Sequence, residues 1–130
     1  MSEKPKEIVQ SFYHEFEAGN IEASLALLAE NVEWVNPLPE EIPFSGSYKG
    51  VAGVVAYLQL LADTLDMGPM KLHRVVAEDD VVMVTGHESS KVKASGLSYS
   101  MDWVHEFTVE NGKIIAVREY NDTAEMLKAF

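Results

Sequence analysis

Glu88, His105 and Glu119 are the side chains of this sequence whose types and places could exchange protons, and Asn36 is the one that could orient what they act on. A carboxyl in apolar surroundings has its pKa raised, and a second carboxyl nearby raises it further. One can then donate a proton while its neighbour accepts one. Histidine titrates in the same range, and Asn36 could hydrogen-bond a water or a carbonyl. That is acid/base chemistry, and it needs neither metal nor cofactor. Two carboxylates and a histidine could also hold a metal, but no tight ligand spacing is present. Each residue has a plainer role: an inward Glu can be solvated at a barrel rim, and an inward His can be a hydrogen-bonded core group. The convergence of three such groups is what points to chemistry.

Strand parity brings them together. The segment 97–109 alternates almost without exception: Leu97, Tyr99, Met101, Trp103, His105, Phe107 and Val109 take one face. Met101, Trp103 and His105 are therefore expected inward. In 80–93, Val82 and Val84 share a face with Gly86 and Glu88, while His87, Lys91 and Lys93 take the other. In an early strand Val32 and Trp34 face inward, with Asn36 at the rim.

The last strand, 113–121, is set by its turn. A two-residue turn at Asn111-Gly112 would put Arg118 and Tyr120 beside His105. A three-residue turn bulged at Gly112 would put Ile115, Val117 and Glu119 there. Apolar Ile115 and Val117 suit a core better than Ala116 and Arg118, so the bulged turn is chosen. Glu119 is then expected to have a raised pKa, and Glu119→Gln to leave folding intact. The expected pocket wall is Trp34, Tyr13, Phe16, Met101, Trp103 and Val117.

These strands need helices to close them. Ile8, Val9, Phe12, Tyr13 and Phe16 recur at helical spacing in 5–18, with Gly19 as the stop and Asn20 as the next N-cap. A second helix over about 21–29 buries Leu25 and Leu28. A third, about 50–65, carries Val51, Val54, Val55, Leu58, Leu61 and Leu65 on one side and ends at Met67-Gly68-Pro69. Strands at 71–78 and 80–93 join at Glu78-Asp79-Asp80, and a short helix follows Asp122-Thr123. Helices first, then antiparallel strands, give an α+β fold. The expected form is a curved, mixed, mostly antiparallel sheet wrapped around three helices, a cone-shaped roll with an internal pocket, built from one domain over 1–130.

Composition narrows the partners. The formal net charge is -11 over 130 residues. Phosphate binding needs a basic face, so neither nucleic acid nor an anionic membrane surface is expected. There is no cysteine, hence no disulfide or thiolate site. No apolar run approaches the roughly 20 residues that span a bilayer, and the charged start Met-Ser-Glu-Lys-Pro-Lys-Glu lacks a signal peptide's apolar region. A cytoplasmic protein is expected. The outer sheet face, with Thr85, His87, Val104 and Tyr120, is mixed in polarity and suits a homodimer contact.

The sequence resembles the SnoaL-like proteins of the nuclear-transport-factor-type cone superfamily. The resemblance runs through Glu17-Ala18-Gly19-Asn20, Leu27-Leu28-Ala29-Glu30-Asn31-Val32-Glu33-Trp34, Phe44-Ser45-Gly46-Ser47-Tyr48-Lys49-Gly50, Asn111-Gly112-Lys113-Ile114 and Arg118-Glu119-Tyr120-Asn121-Asp122. It covers nearly the whole chain and implies the cone fold and a homodimer. Limonene-epoxide-hydrolase-like relatives use an early Tyr and Asn, a middle Arg and Asp, and a last-strand Asp. Asn36, Glu88 and Glu119 match, Trp34 stands at the Tyr and Gly86 at the Arg, which argues against epoxide hydrolysis. Ketosteroid-isomerase-like relatives have a catalytic Asp where Asn36 stands and a Tyr where Phe12 stands. SnoaL-type cyclases pair an inward carboxylate with an inward histidine, which Glu119 and His105 resemble most nearly. The function expected is a pocket protein for a small apolar molecule: a cofactor-independent cyclase, isomerase or hydrolase, or a non-catalytic binding or assembly module.

Overall fold

The computed structural model describes residues 4–130. The first three positions of the expected 1–130 domain, and of its charged start, lie outside that range. The elements are α1 (Pro5–Glu17), α2 (Ile21–Leu25), β1 (Leu28–Asn36), β2 (Gly46–Lys49), α3 (Gly50–Thr64), β3 (Leu65–Glu78), β4 (Val81–Val92), β5 (Ser98–Glu110), β6 (Lys113–Asn121) and α4 (Thr123–Leu127). The six strands form one curved sheet in the order β2-β1-β6-β5-β4-β3. Every pairing is antiparallel except β1 with β6. The α+β class and the mixed sheet are as the sequence predicts.

The inner face of the sheet is its apolar face. Val32, Val82, Val84, Phe107, Val109 and Ile114 are buried there, and α1 and α3 pack against it. Helix α1 supplies Ile8, Val9, Phe12 and Tyr13, all buried. Its i, i+1, i+4, i+5 spacing is what an amphipathic helix lying on a sheet requires.

Four local readings are corrected. The second helix ends at Leu25, and Leu28 opens β1, where it pairs with Ile114. Parallel pairing to β6 outweighs the helical propensity of Leu27-Leu28-Ala29. In α3 the buried positions are Val54 and Tyr57, while Val55 is exposed. That helix stops at Thr64, and Leu65 is already extended. Met67-Gly68-Pro69 lies inside β3, where the register with β4 slips between Met67 and Met70. A proline at a slip in an edge strand removes no ladder bond. Strand β2 carries no alternation strong enough to announce it.

The last hairpin is the informative case. Glu110 pairs with Lys113, so Asn111-Gly112 is a two-residue turn, and both residues have positive φ, 51° and 76°. A primed turn of this kind matches strand twist. The bulge sits further on: Val109 faces Ile114 but Thr108 faces Ala116, leaving Ile115 as the extra residue. Ile114, not Ile115, is therefore the buried one. Parity beyond the bulge is the expected one, with Val117 and Glu119 buried and Arg118 exposed.

Candidate active site

Glu119 and His105 are cross-strand partners on β6 and β5. Both are buried, each 8% exposed. Four donors surround the Glu119 carboxyl. Trp34 Nε1 and the Tyr57 hydroxyl donate to Oε2 at 2.8 and 2.5 Å. His105 Nε2 and Asn121 Nδ2 both stand 3.4 Å from Oε1. Tyr13 Oη lies 2.6 Å from His105 Nδ1. Burial, reinforced by Glu119, holds the Tyr13 hydroxyl well above its ordinary pKa. It therefore stays protonated, and its contact with Nδ1 turns the His105 ring so that Nε2 faces Glu119. The ring itself stacks on Trp103, with centroids 4.0 Å apart.

The pKa of Glu119 departs from the sequence expectation. Burial pushes it up, but the hydrogen bond and charge of His105, with the Tyr57 and Trp34 donors, outweigh burial and hold the carboxyl below its ordinary value. Glu88 behaves the opposite way. It is half-buried, and burial raises its pKa; Ser90, donating to Oε2 at 3.1 Å, offsets this in part, and the Glu119 charge raises it further. The two carboxyls are thus driven apart, and the raised pKa expected of Glu119 falls to Glu88 instead.

Asn36 is 1% exposed and is not at a rim. Its Nδ2 donates to the Tyr57 hydroxyl at 2.9 Å and its Oδ1 accepts from Asn121 Nδ2 at 3.0 Å. Its hydrogen bonds serve the site's internal network rather than a water or a carbonyl.

These groups form the polar end of an internal cavity whose remaining wall is apolar. The cavity offers about 70 Å³ to the centres of water-sized molecules. Glu88, His105, Glu119, Asn36, Trp34, Tyr13, Phe16 and Met101 all line it. Two expected wall residues do not: Trp103 fills the space above Gly86, and Val117 is 1% exposed in the core. A Cβ on Gly86 would collide with the Trp103 ring and come within 2.6 Å of the Lys71 carbonyl oxygen. The indole thus occupies the room that an arginine at this position would need.

The sequence analysis missed Tyr57 and Asn121. Tyr57 is the only aromatic residue of α3, three residues after buried Val54. Asn121 lies two residues beyond Glu119, on the same face of β6. Tyr57 falls outside the stripe that the spacing predicts for 50–65, and Asn121 is the last residue of the predicted strand 113–121. Tyr57→Phe removes a donor from Glu119 and leaves Asn36 Nδ2 without its acceptor. The expected cost is about 1–3 kcal/mol, with the Glu119 pKa rising. Urea denaturation checks the first, and an unchanged midpoint would contradict it.

Among the described residues, no three His, Cys, Asp or Glu side chains are grouped to hold a metal ion, and no helix is long and apolar enough to cross a membrane.

The SnoaL-like domain family matches residues 9–117. Among solved structures, an NTF2-like protein from Burkholderia xenovorans LB400 is 29% identical, with 99% of this chain and 97% of that chain covered and a TM-score of 0.86. An NTF2-like protein from Burkholderia thailandensis E264 is 24% identical over 98% and 97%, with a TM-score of 0.89. TerC, co-crystallised with polyporic acid, is 25% identical over 97% and 98%, with a TM-score of 0.81. No curated protein matches the chain in sequence.

Proposed function

The chain belongs to the SnoaL-like family, and from that premise we propose that it is a cofactor-independent proton-transfer enzyme, of cyclase, isomerase or hydrolase type, acting on a small, mostly apolar molecule held in the cavity. The observation that carries this is the convergence of Glu88, His105 and Glu119 on one otherwise apolar cavity, in surroundings that push the two carboxyls in opposite directions. Environments that push a pair of titratable groups apart assign an acid and a base. Glu119 is the base. Its Oε2 is saturated by two short hydrogen bonds, whereas both neighbours of Oε1 stand at 3.4 Å. Oε1 is the oxygen able to take a substrate proton. Glu88, with its raised pKa, is the acid. His105 and Tyr13 hold the base in place and share its proton.

In an enolisable ketone, Glu119 removes the proton from the carbon beside the carbonyl. The C–H electron pair forms the C=C bond, the carbonyl π pair moves to oxygen, and Glu88 delivers a proton there. Return of a proton to the same or a conjugated carbon completes exchange or isomerisation. The similarity to TerC, co-crystallised with polyporic acid, supports a small organic ligand here.

A general substrate tests the reaction. Exchange of the α-protons of 2-tetralone in D₂O, followed by proton NMR, is expected to run faster with the protein than in buffer. Glu88→Gln and Glu119→Gln should each slow it. If the wild type gives no acceleration, the enzymatic reading fails. The non-catalytic reading draws on one observation, the internal bonds of Glu119, which would also serve a purely structural carboxylate.

We also propose a homodimer through the outer sheet face, where Met83 and Tyr120 are exposed, 38% and 45%. Sedimentation should give about twice the 14.4 kDa chain mass; a mass of one chain at micromolar concentration would contradict it.

A further inference from the structure

A second group of ionisable and nucleophilic side chains lies outside the cavity. Glu88 on β4 and Met101 on β5 line the cavity, so their neighbours His87, Ser89, Ser100 and Asp102 point to the opposite, outer face of the sheet. His87 pairs across the strands with Asp102, and Ser89 with Ser100. His87 Nδ1 stands 2.8 Å from Asp102 Oδ1, and its Nε2 stands 2.8 Å from Ser100 Oγ. Ser89 Oγ is 2.8 Å from Ser100 Oγ. The directions of these bonds follow from their ends. A carboxylate only accepts, so Nδ1 carries its proton toward Asp102, and Nε2 of the neutral ring accepts from the Ser100 hydroxyl. Ser100 Oγ then takes the Ser89 proton, and one of its lone pairs is left free. A hydroxyl bonded to an imidazole that a carboxylate orients is the arrangement that activates serine for acyl transfer.

We propose that Ser100, His87 and Asp102 form a second reactive site, at which Ser100 is acylated by small activated acyl donors such as aryl esters. Ser100 Oγ attacks the ester carbonyl carbon, its proton passes to His87 Nε2, and the carbonyl π pair moves to oxygen. Ser89 supplies the O–H nearest that oxygen as it gains charge. Collapse breaks the bond to the leaving phenolate, which takes the proton from Nε2. Water then repeats the sequence, releasing the carboxylic acid and restoring Ser100. Asp102 is a positioning residue that holds the imidazole through Nδ1. His87 and Asp102 are open to solvent, 37% and 84% exposed, so that water is at hand. The site shares no residue with the cavity and does not rest on its chemistry. Ser89 and its partner Ser100 lie about 20 Å along β4 from Met83, away from the centre of the dimer contact proposed above.

The test uses two probes on the full chain. Phenylmethanesulfonyl fluoride traps the nucleophile: the Ser100 Oγ–S bond forms, fluoride leaves and His87 takes the proton. Peptide mapping by mass spectrometry should find the adduct on Ser100 in the wild type and not in His87→Gln. Hydrolysis of para-nitrophenyl acetate, followed by release of the coloured phenolate, should fall about 10²-fold in Ser100→Ala and in His87→Gln. Asp102→Asn should slow it and Asp102→Glu should restore part of the rate, which a merely structural role for the carboxylate would not do. Cross-strand bonds of this kind also tie neighbouring strands together. A cluster with that role alone would leave Ser100 unmodified in the wild type, and this result would overturn the proposal. So would an adduct that forms equally in His87→Gln, or hydrolysis that stays within about twofold of wild type in Ser100→Ala.

Discussion

Glu119→Gln is expected to slow proton exchange about 10²–10⁴-fold and to lower folding stability by about 1–3 kcal/mol. The substitution is nearly isosteric, and from the sequence alone it should leave folding intact. The geometry says otherwise. Four donors converge on the carboxyl: Trp34 Nε1, the Tyr57 hydroxyl, His105 Nε2 and Asn121 Nδ2. An ionised carboxylate only accepts, and it has lone pairs for all four. A glutamine has one carbonyl oxygen and one NH₂. Whichever way it is turned, the NH₂ meets two donors. With the oxygen toward Trp34 and Tyr57, His105 loses its acceptor. With the oxygen toward His105, the two short bonds are lost. Denaturation and 2-tetralone exchange read the two effects separately. Wild-type stability together with wild-type exchange would show that Glu119 neither anchors the network nor takes the proton.

Trp103→Ala is expected to cost about 3–5 kcal/mol. The indole is 2% exposed and stacks on His105 at 4.0 Å and on Tyr13 at 6.3 Å. It fills the space above Gly86, so its loss leaves a cavity between β5 and β4 that the backbone cannot close. His105 would also lose the surface that fixes its ring plane. The converse change, Gly86→Ala, puts a methyl into the Trp103 ring and near the Lys71 carbonyl oxygen. Overpacking at a site bounded by backbone costs about 1–3 kcal/mol. Trp103→Phe should fall well short of the alanine cost, since the indole N–H has no partner to lose. Thermal unfolding measures all three. An alanine cost under about 1 kcal/mol would contradict the packing described.

The legible part of this protein was its strands. Period-two alternation over 97–109 placed Met101, Trp103 and His105 inward, because a half-buried strand writes its facing into the sequence. Glu119 was reached by the right parity for a partly wrong reason. The preference for Val117 over Ala116 and Arg118 in the core was sound, but the slip that provides it is at Ile115, not at the turn. Asn111-Gly112 signals a tight turn, and nothing local to it reports a bulge three residues away. The illegible part was the proton affinity of Glu119. His105, legible beside it, lowers that affinity most, but Tyr57 and Trp34, which add to the effect, are 62 and 85 residues distant in sequence. Burial alone predicts a raised pKa; the hydrogen bond and charge of His105, with the other converging donors, reverse it. Tyr57 was hidden because the aliphatic stripe of 50–65 passes it by, while the buried positions of α3 are Val54 and Tyr57.

The opposed shifts also act on stability with opposite sign. Glu119, with its pKa lowered on folding, stabilises the folded state above its unfolded value of about 4.3, and that contribution is lost as pH falls through the folded value. Glu88, with its pKa raised, contributes below about 4.3 and loses that contribution as pH rises through its folded value. The division of labour between the two carboxyls is tested most directly by a ¹³C NMR titration of the glutamate side-chain carboxyls, with Glu88→Gln and Glu119→Gln used to assign the two resonances. The expected result is Glu119 titrating below the ordinary glutamate value and Glu88 above it. Glu119 titrating above that value, or the two titrating together, would contradict it.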